Sequence, residues 1–280
     1  MSLIGDALEL MHAAHKHARV IRAIVHHWED REVYGQTPQR WQEVSLERKQ
    51  TSSSSTFSFP HTSAAEPPHP PRFVETTQRI WRRQPGWYWR IEGVGTTDPD
   101  VLILSDNKYW KKEPGGPFET NVAADGSLTN GGFGFGGESF LRLLFDPASL
   151  LPVLDISEAR SGPYVDRHAI HLTALARLDV DLVHVDWNYA TKHLLVVDAE
   201  CGILLRYEAW LDEAMYMQWD LLEVHLNEDL PDDFFTGPVD SVQIQRPDAK
   251  YTDEMSERIR ASMEQIFSEY RTDIEKLEPD

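Results

Sequence analysis

Between His193 and Phe235 the chain reads HLLVVDAECGILLRYEAWLDEAMYMQWDLLEVHLNEDLPDDFF, three apolar-rich runs separated by polar turns. Runs of that length and spacing predict a long antiparallel meander. The middle run exchanges apolar for polar residues, so the sheet is expected to cover a core on one face and meet solvent on the other. No motif of comparable clarity marks chemistry, and the fold is more legible here than the job.

Upstream, Leu8, Met11, Ala14, Ala18, Ile21, Val25 and Trp28 recur at steps of three and four, which predicts one long amphipathic helix from Ile4 onward. A first strand is expected near Trp41 to Lys49. The stretch from Thr51 to Pro71 is dominated by Ser and Pro and loses all periodicity, which predicts a disordered insertion at 51–71. Strands resume with RFVETTQRIWRRQ and WYWRIEG around Pro85-Gly86, then VLILS and KYWKK around Asp106-Asn107, two hairpins by their turn chemistry. A glycine-rich flap spans 114–137 and carries Phe133 and Phe135. Its Gly132, Gly134 and Gly137 match G-x-G-x-x-G, but a polar loop precedes them where a dinucleotide site needs an apolar strand. The flap closes a cavity mouth or merely connects elements. ESFLRLLFDP reads as helical, SGPYVDRHAIHLTAL as a further strand, and Met255, Ile259, Met263, Ile266, Tyr270, Ile274 and Leu277 as an acidic amphipathic helix in a separate segment, 241–280.

Composition limits the partners. With 46 acidic against 27 basic side chains, the net charge of -19 repels phosphate backbones and anionic headgroups, so no nucleic acid is expected. The local cluster Arg79, Arg82, Arg83 and Arg90 reads as solvated strand edges. A single cysteine, Cys201, excludes an internal disulfide framework and a multi-thiolate metal site. The first residues show no basic leader with an apolar run, and no segment reaches the roughly 18 apolar residues that span a bilayer. No membrane insertion is expected, and the expected location is cytoplasmic.

Catalytic motifs are also missing. There is no G-x-S-x-G elbow, and neither H-E-x-x-H nor H-x-x-E-H. His168 and His171 lie three apart on one strand and so face opposite ways. Histidines 12, 15, 17, 26 and 27 read as surface positions, and Glu228, Asp229, Asp232 and Asp233 lack the alternation of a calcium loop. No metal and no cofactor is expected. Trp87, Trp89, Trp110, Trp210 and Trp219 suit an apolar pocket and suit a core equally.

The ordered series PGWYWRIE, SDNKYW, LFDPASLL, VDRHAIHLTAL, HLLVVDAECGILLRYEAW and LEVHLNEDLPDDFF resembles the LolA/LolB/RseB lipoprotein-carrier superfamily, over roughly Phe73 to Phe235 plus the first helix. The residues carrying it are Arg90, Glu92, Tyr109 and Trp110, then Asp198, Gly202, the run from Ile203, and Leu230, Pro231 and Phe235. What the resemblance implies is an α+β fold, one strongly curved antiparallel half-barrel in residues 1–240, with N-terminal and C-terminal helices over its concave face and an apolar cavity between. Together with the meander, the aromatic-rich strands and the glycine flap, that cavity leads to the expectation of a non-enzymatic protein that binds a hydrophobic or amphipathic small molecule, with Trp87, Trp89, Trp110, Phe133, Phe135, Trp210 and Trp219 as candidate ligand-binding residues. A motif-free cyclase or isomerase in the same cavity, or a regulatory module engaging an unidentified protein, are the alternatives. The absent export signal, the Ser/Pro insertion and the acidic C-terminal segment depart from the family.

Overall fold

The computed structural model describes residues 2–36, 71–84, 86, 88–106, 108–123, 127, 138–177 and 190–243. The strand expected near 41–49, nearly all of the 51–71 insertion, Trp87, most of the flap with Phe133 and Phe135, and the C-terminal helix lie outside these residues.

Helix α1 (Leu3–His17) begins at Ser2, whose hydroxyl accepts from the Gly5 N–H at 3.2 Å. Asp6 in its first turn and His15, Lys16 and His17 in its last complement the helix dipole. Ala7, Met11 and Ala14 form its fully buried stripe. The helix stops well before the periodicity predicts, and Val20–Asp30 is strand β1 instead. Two causes act together. Ile21, Ala23 and Val25 also alternate, and the β-branched density of this stretch favours an extended backbone. Asn227, at φ 57°, then secures the break from 208 residues away. Its Oδ1 accepts from the Arg19 and Val20 N–H groups at 3.0 and 3.4 Å, and its Nδ2 donates to the His17 carbonyl at 3.2 Å. Polar groups released at the helix end are thereby satisfied.

The remaining strands are β2 (Phe73–Arg83), β3 (Tyr88–Gly93), β4 (Val101–Ser105), β5 (Lys108–Lys112), β6 (Phe118–Thr120), β7 (Leu154–Tyr164), β8 (Arg167–Ala176), β9 (Lys192–Asp198), β10 (Leu204–Leu211), β11 (Ala214–Leu226) and β12 (Val242–Gln243). They form one curved sheet in the order β12-β6-β5-β4-β3-β2-β1-β11-β10-β9-β8-β7, antiparallel except where β12 joins β6. The expected α+β half-barrel class is therefore present. β1 sits at its centre, joining two meanders. From β6 the chain passes through helix α2 (Glu138–Phe145) and a 3-10 turn at Pro147–Leu150 to reach β7 at the far edge. Both hairpins expected from Pro85-Gly86 and Asp106-Asn107 form, with Gly86 at φ 104° and Asp106 at φ 53°. SGPYVDRHAIHLTAL, expected as one strand, is a hairpin instead. It turns at Val165 and Asp166, with φ 44° and 59°. A β-branched residue rarely enters the left-handed region, so the turn carries no sequence signal.

One face of the sheet is covered by helices. Ile21, Val25, Ile80, Trp89, Leu195 and Tyr207 point to it and pack with α1 and with Leu141, Leu144 and Phe145 of α2. The opposite face carries a smaller core of Val101, Ile103, Trp110 and Phe235, flanked by Trp81, Tyr88 and Phe234. Residues 228–238 form a strap across it, and a Cβ on Gly237 would lie 2.1 Å from Trp110 Cγ, so only glycine fits there. The arginine cluster expected to be solvated belongs to these packed faces. Arg83 lies 5.0 Å from the Phe235 ring, Arg90 4.9 Å from Phe234, and Arg79 5.9 Å from Trp81. Arg82 faces the helices, is 6% exposed and lies 5.1 Å from Trp89. Burial pulls its pKa down to about 10, which leaves it charged at neutral pH.

Candidate functional site

Among the described residues, large side chains occupy the helix-covered interior. Trp89, Met11, Phe145, Tyr207 and Tyr216 are each below 2% exposed, and Trp89 meets Phe145 at 5.8 Å between ring centres. The four candidate aromatic residues that are described, Trp89, Trp110, Trp210 and Trp219, do not converge there. Trp89 and Trp219 lie on the helix-covered face, Trp219 stacked on His27 at 4.0 Å. Trp110 and Trp210 lie on the open face, Trp110 under the strap and Trp210 with Lys192 Nζ 4.3 Å from its ring.

A cleft of about 410 Å³ occupies the open face at the β7 end of the sheet, within the range of small-molecule sites. Leu194 and Val196 on β9 form its apolar floor. Glu158 and Arg160 on the edge strand β7 stand on one side, and Arg206 and Glu208 on β10 on the other, with His171 and Thr173 between. The far wall is Tyr164, at the tip of the β7–β8 hairpin. Its hydroxyl donates to Asp220 Oδ1 on β11 at 2.6 Å, although three strands separate β7 from β11 in the sheet. The curvature of the sheet brings those strands together.

The β10 side is held rigidly. Arg206 Nε donates to Glu208 Oε1 at 2.6 Å and its terminal nitrogen to Gln218 at 3.1 Å, while Trp210 Nε1 donates to Glu208 Oε2 at 2.9 Å. Asp220 adds a second carboxylate 3.5 Å from Arg206. Burial would lower the Arg206 pKa, but Asp220 and Glu208 outweigh it and hold the guanidinium charged. Burial, reinforced by Asp220, pushes the Tyr164 hydroxyl well above its ordinary value, so it stays a proton donor at neutral pH. Glu208 and Asp220 are 7% and 5% exposed, and each of their carboxylate oxygens accepts a hydrogen bond. Such a network fixes side chains in place more than it adds stability.

Sequence reasoning named the aromatic residues and missed this set. The available signal was period-two polarity inside buried strands, Arg206 and Glu208 in LLRYEAW and Gln218 and Asp220 in MQWDLL. What brings them to one face with Arg160 is the cross-strand register, which local sequence does not display. Cys201 is 2% exposed, and burial pushes its thiol up to about 12, so it carries no thiolate at neutral pH. Among the described residues no group of three or more His, Cys, Asp or Glu side chains is placed to hold a metal ion, and no helix is long and apolar enough to cross a membrane.

Two histidines on the helix-covered face set an expected pH response. Burial, helped by the neighbouring His26, lowers the His27 pKa from 6.5 to about 4, and burial alone lowers that of His193 to about 3. Both are neutral in the folded protein, whereas the unfolded chain takes up protons near 6.5. Their stabilising contribution is therefore complete above pH 6.5 and declines as the pH falls toward 4. The urea midpoint is expected to be flat above pH 7 and to fall across that window, with His27→Gln flattening part of the slope. An unchanged midpoint from pH 7 to 5 would show that these imidazoles are not held neutral by burial.

No family model matches the sequence, and no curated protein matches it either. Solved structures with a similar arrangement include MucB, at 10% identity and a TM-score of 0.47 over 84% of this chain. This chain spans 62% of that MucB chain. An uncharacterized conserved protein from Thermus thermophilus matches over 86% of this chain and 99% of its own, at 10% identity and a TM-score of 0.43. A LolA superfamily protein from Nitrosomonas europaea matches over 83% and 97%, at 11% identity and a TM-score of 0.28. Likeness this distant has no weight on family, ligand, partner or chemistry.

Proposed function

We propose that the protein is a non-enzymatic binding protein that holds an amphipathic small molecule in the open-face cleft. The observation that carries this reading is the lining: an apolar floor of Leu194 and Val196 flanked by charged pairs from β7 and β10, in a volume of about 410 Å³. An apolar segment lying on that floor gains about 0.8 kcal/mol per methylene removed from water. The polar walls then fix its orientation. The interior between sheet and helices, where the resemblance would put a hydrophobic ligand, is packed with Trp89, Phe145 and Tyr207.

The test uses the full-length protein, titrated with a fluorescent dodecyl-chain amphiphile and examined by native mass spectrometry. One ligand per chain is expected. Leu194→Arg, which places a long charged side chain on the floor at a half-buried position, is expected to weaken binding at least tenfold, about 1.4 kcal/mol, with the melting temperature retained. Absence of binding, or equal binding by wild type and Leu194→Arg, would overturn the reading.

A further inference from the structure

The charges lining the cleft are sorted by sign. The strand register places Glu158, Thr173, Leu194 and Glu208 in one row across β7, β8, β9 and β10, and Arg160, His171, Val196 and Arg206 in the next. Both rows face the cleft. One is acidic at both ends, the other basic at both ends, and each is apolar on β9. The rows are two residues apart along every strand, about 7 Å between backbones, and their side chains reach into one shared space.

The two ends of each row differ in readiness. Arg206 and Glu208 are bonded to each other and pinned by Gln218 and Trp210, so their positions are fixed before anything binds. Glu158 and Arg160 stand on the edge strand, exposed, and make no ion pair among the described residues. A ligand carrying one sign of charge is attracted by one row and repelled by the other, so the two effects largely cancel. A ligand carrying both signs a few ångströms apart gains from both.

Resting on the reading of the cleft as an amphiphile site, we infer that it selects a zwitterionic amphiphile. Its cationic amine lies along the Glu158–Glu208 row, its anionic oxyacid along the Arg160–Arg206 row, and its apolar body lies on Leu194 and Val196. His171, between the two arginines, adds a ring nitrogen on the anion side. Gly162 keeps that ring accessible, since a Cβ there would approach His171 Nε2 to 3.2 Å.

Four probes of equal chain length test this on the full-length protein, each below its micelle-forming concentration: dodecylphosphocholine, 2-aminododecanoate, dodecanoate and dodecyltrimethylammonium. At least one zwitterion is expected to bind tenfold or more tightly than either singly charged probe. The tighter of the two zwitterions shows whether a phosphate headgroup or an amino acid supplies the charges. Arg160→Gln is expected to erase the preference over the trimethylammonium probe, and Glu158→Gln the preference over dodecanoate. Preferences below tenfold, or preferences that both variants leave intact, would overturn the zwitterion assignment while the cleft reading stands. If none of the four probes binds, the cleft reading falls with it.

Discussion

Replacing Gly202 with valine is expected to lower folding stability by about 4 kcal/mol, among the larger effects a single substitution has. Gly202 lies in the β9–β10 turn at φ 80°, a conformation that costs a β-branched residue roughly 1–3 kcal/mol. The second contribution is collision. A Cβ at this position would lie 2.1 Å from the Leu10 carbonyl oxygen, 2.5 Å from its carbon and 3.1 Å from the Met11 nitrogen. These are backbone atoms of α1, so nothing yields unless the helix itself moves. Moving it uncovers Ala7, Met11 and Ala14, all fully buried. Gly115 separates the two contributions, because it has φ 76° and nothing within 4 Å of its Cβ position. Gly115→Ala is expected to cost about 1 kcal/mol, and Gly202→Ala clearly more. Urea unfolding followed by tryptophan fluorescence reads all three. If Gly202→Val stays within 1 kcal/mol of wild type, α1 does not seat on this turn as described.

The same turn shows which parts of the fold are legible in the sequence. Asp198 and Gly202 stand in the most readable stretch of the chain, where period-two alternation and turn residues coincide, and β9, β10 and β11 form as expected. Legibility fails where two periods overlap. Ala18, Ile21 and Val25 satisfy a helical spacing, while Ile21, Ala23 and Val25 satisfy a strand, and the choice is made by β2, β11 and the side chain of Asn227, all far away in sequence. It also fails at the β7–β8 turn, where Val165 occupies a conformation that its residue type disfavours.

The cleft is less legible still. A row such as Arg160, His171, Val196 and Arg206 is a property of four strands in register, and no one of them announces it. Aromatic residues are conspicuous in the sequence, but their type does not tell which face of the sheet they occupy. Trp89 and Trp110, on neighbouring parts of the sheet, face opposite ways: Trp89 pairs with Leu104 beneath the helices, and Trp110 with Ile103 beneath the strap.

Asp198→Ala is expected to cost about 3 kcal/mol and to loosen the cleft as well. The carboxylate is fully buried. Its Oδ1 accepts from the Glu200 and Cys201 N–H groups at 2.8 and 3.0 Å, and its Oδ2 from Arg167 Nε in a close ion pair. Burial would raise its pKa, but Arg167 and the two N–H groups outweigh it and hold the acid below its ordinary range. Removing one partner of a buried ion pair costs roughly 3–5 kcal/mol. The lower end applies because Arg167 keeps a second carboxylate, Glu200, at 3.3 Å. Asp198→Asn retains an acceptor for the turn and loses only the ion pair, so it should fall between wild type and alanine. Because the folded pKa is depressed, the contribution of Asp198 is full above the ordinary carboxylate range and is lost as the pH falls through the lowered value. Both variants should therefore lose less stability on acidification than wild type does. Arg167 opens β8 directly after the turn that carries Tyr164, so the ion pair anchors the hairpin whose tip reaches Asp220. Hydrogen exchange of the Val165–His168 amides should accelerate in Asp198→Ala while that of β1 stays slow at the same denaturant distance from unfolding. Equal acceleration in both places would mean that Asp198 supports the whole sheet and has no particular hold on the hairpin.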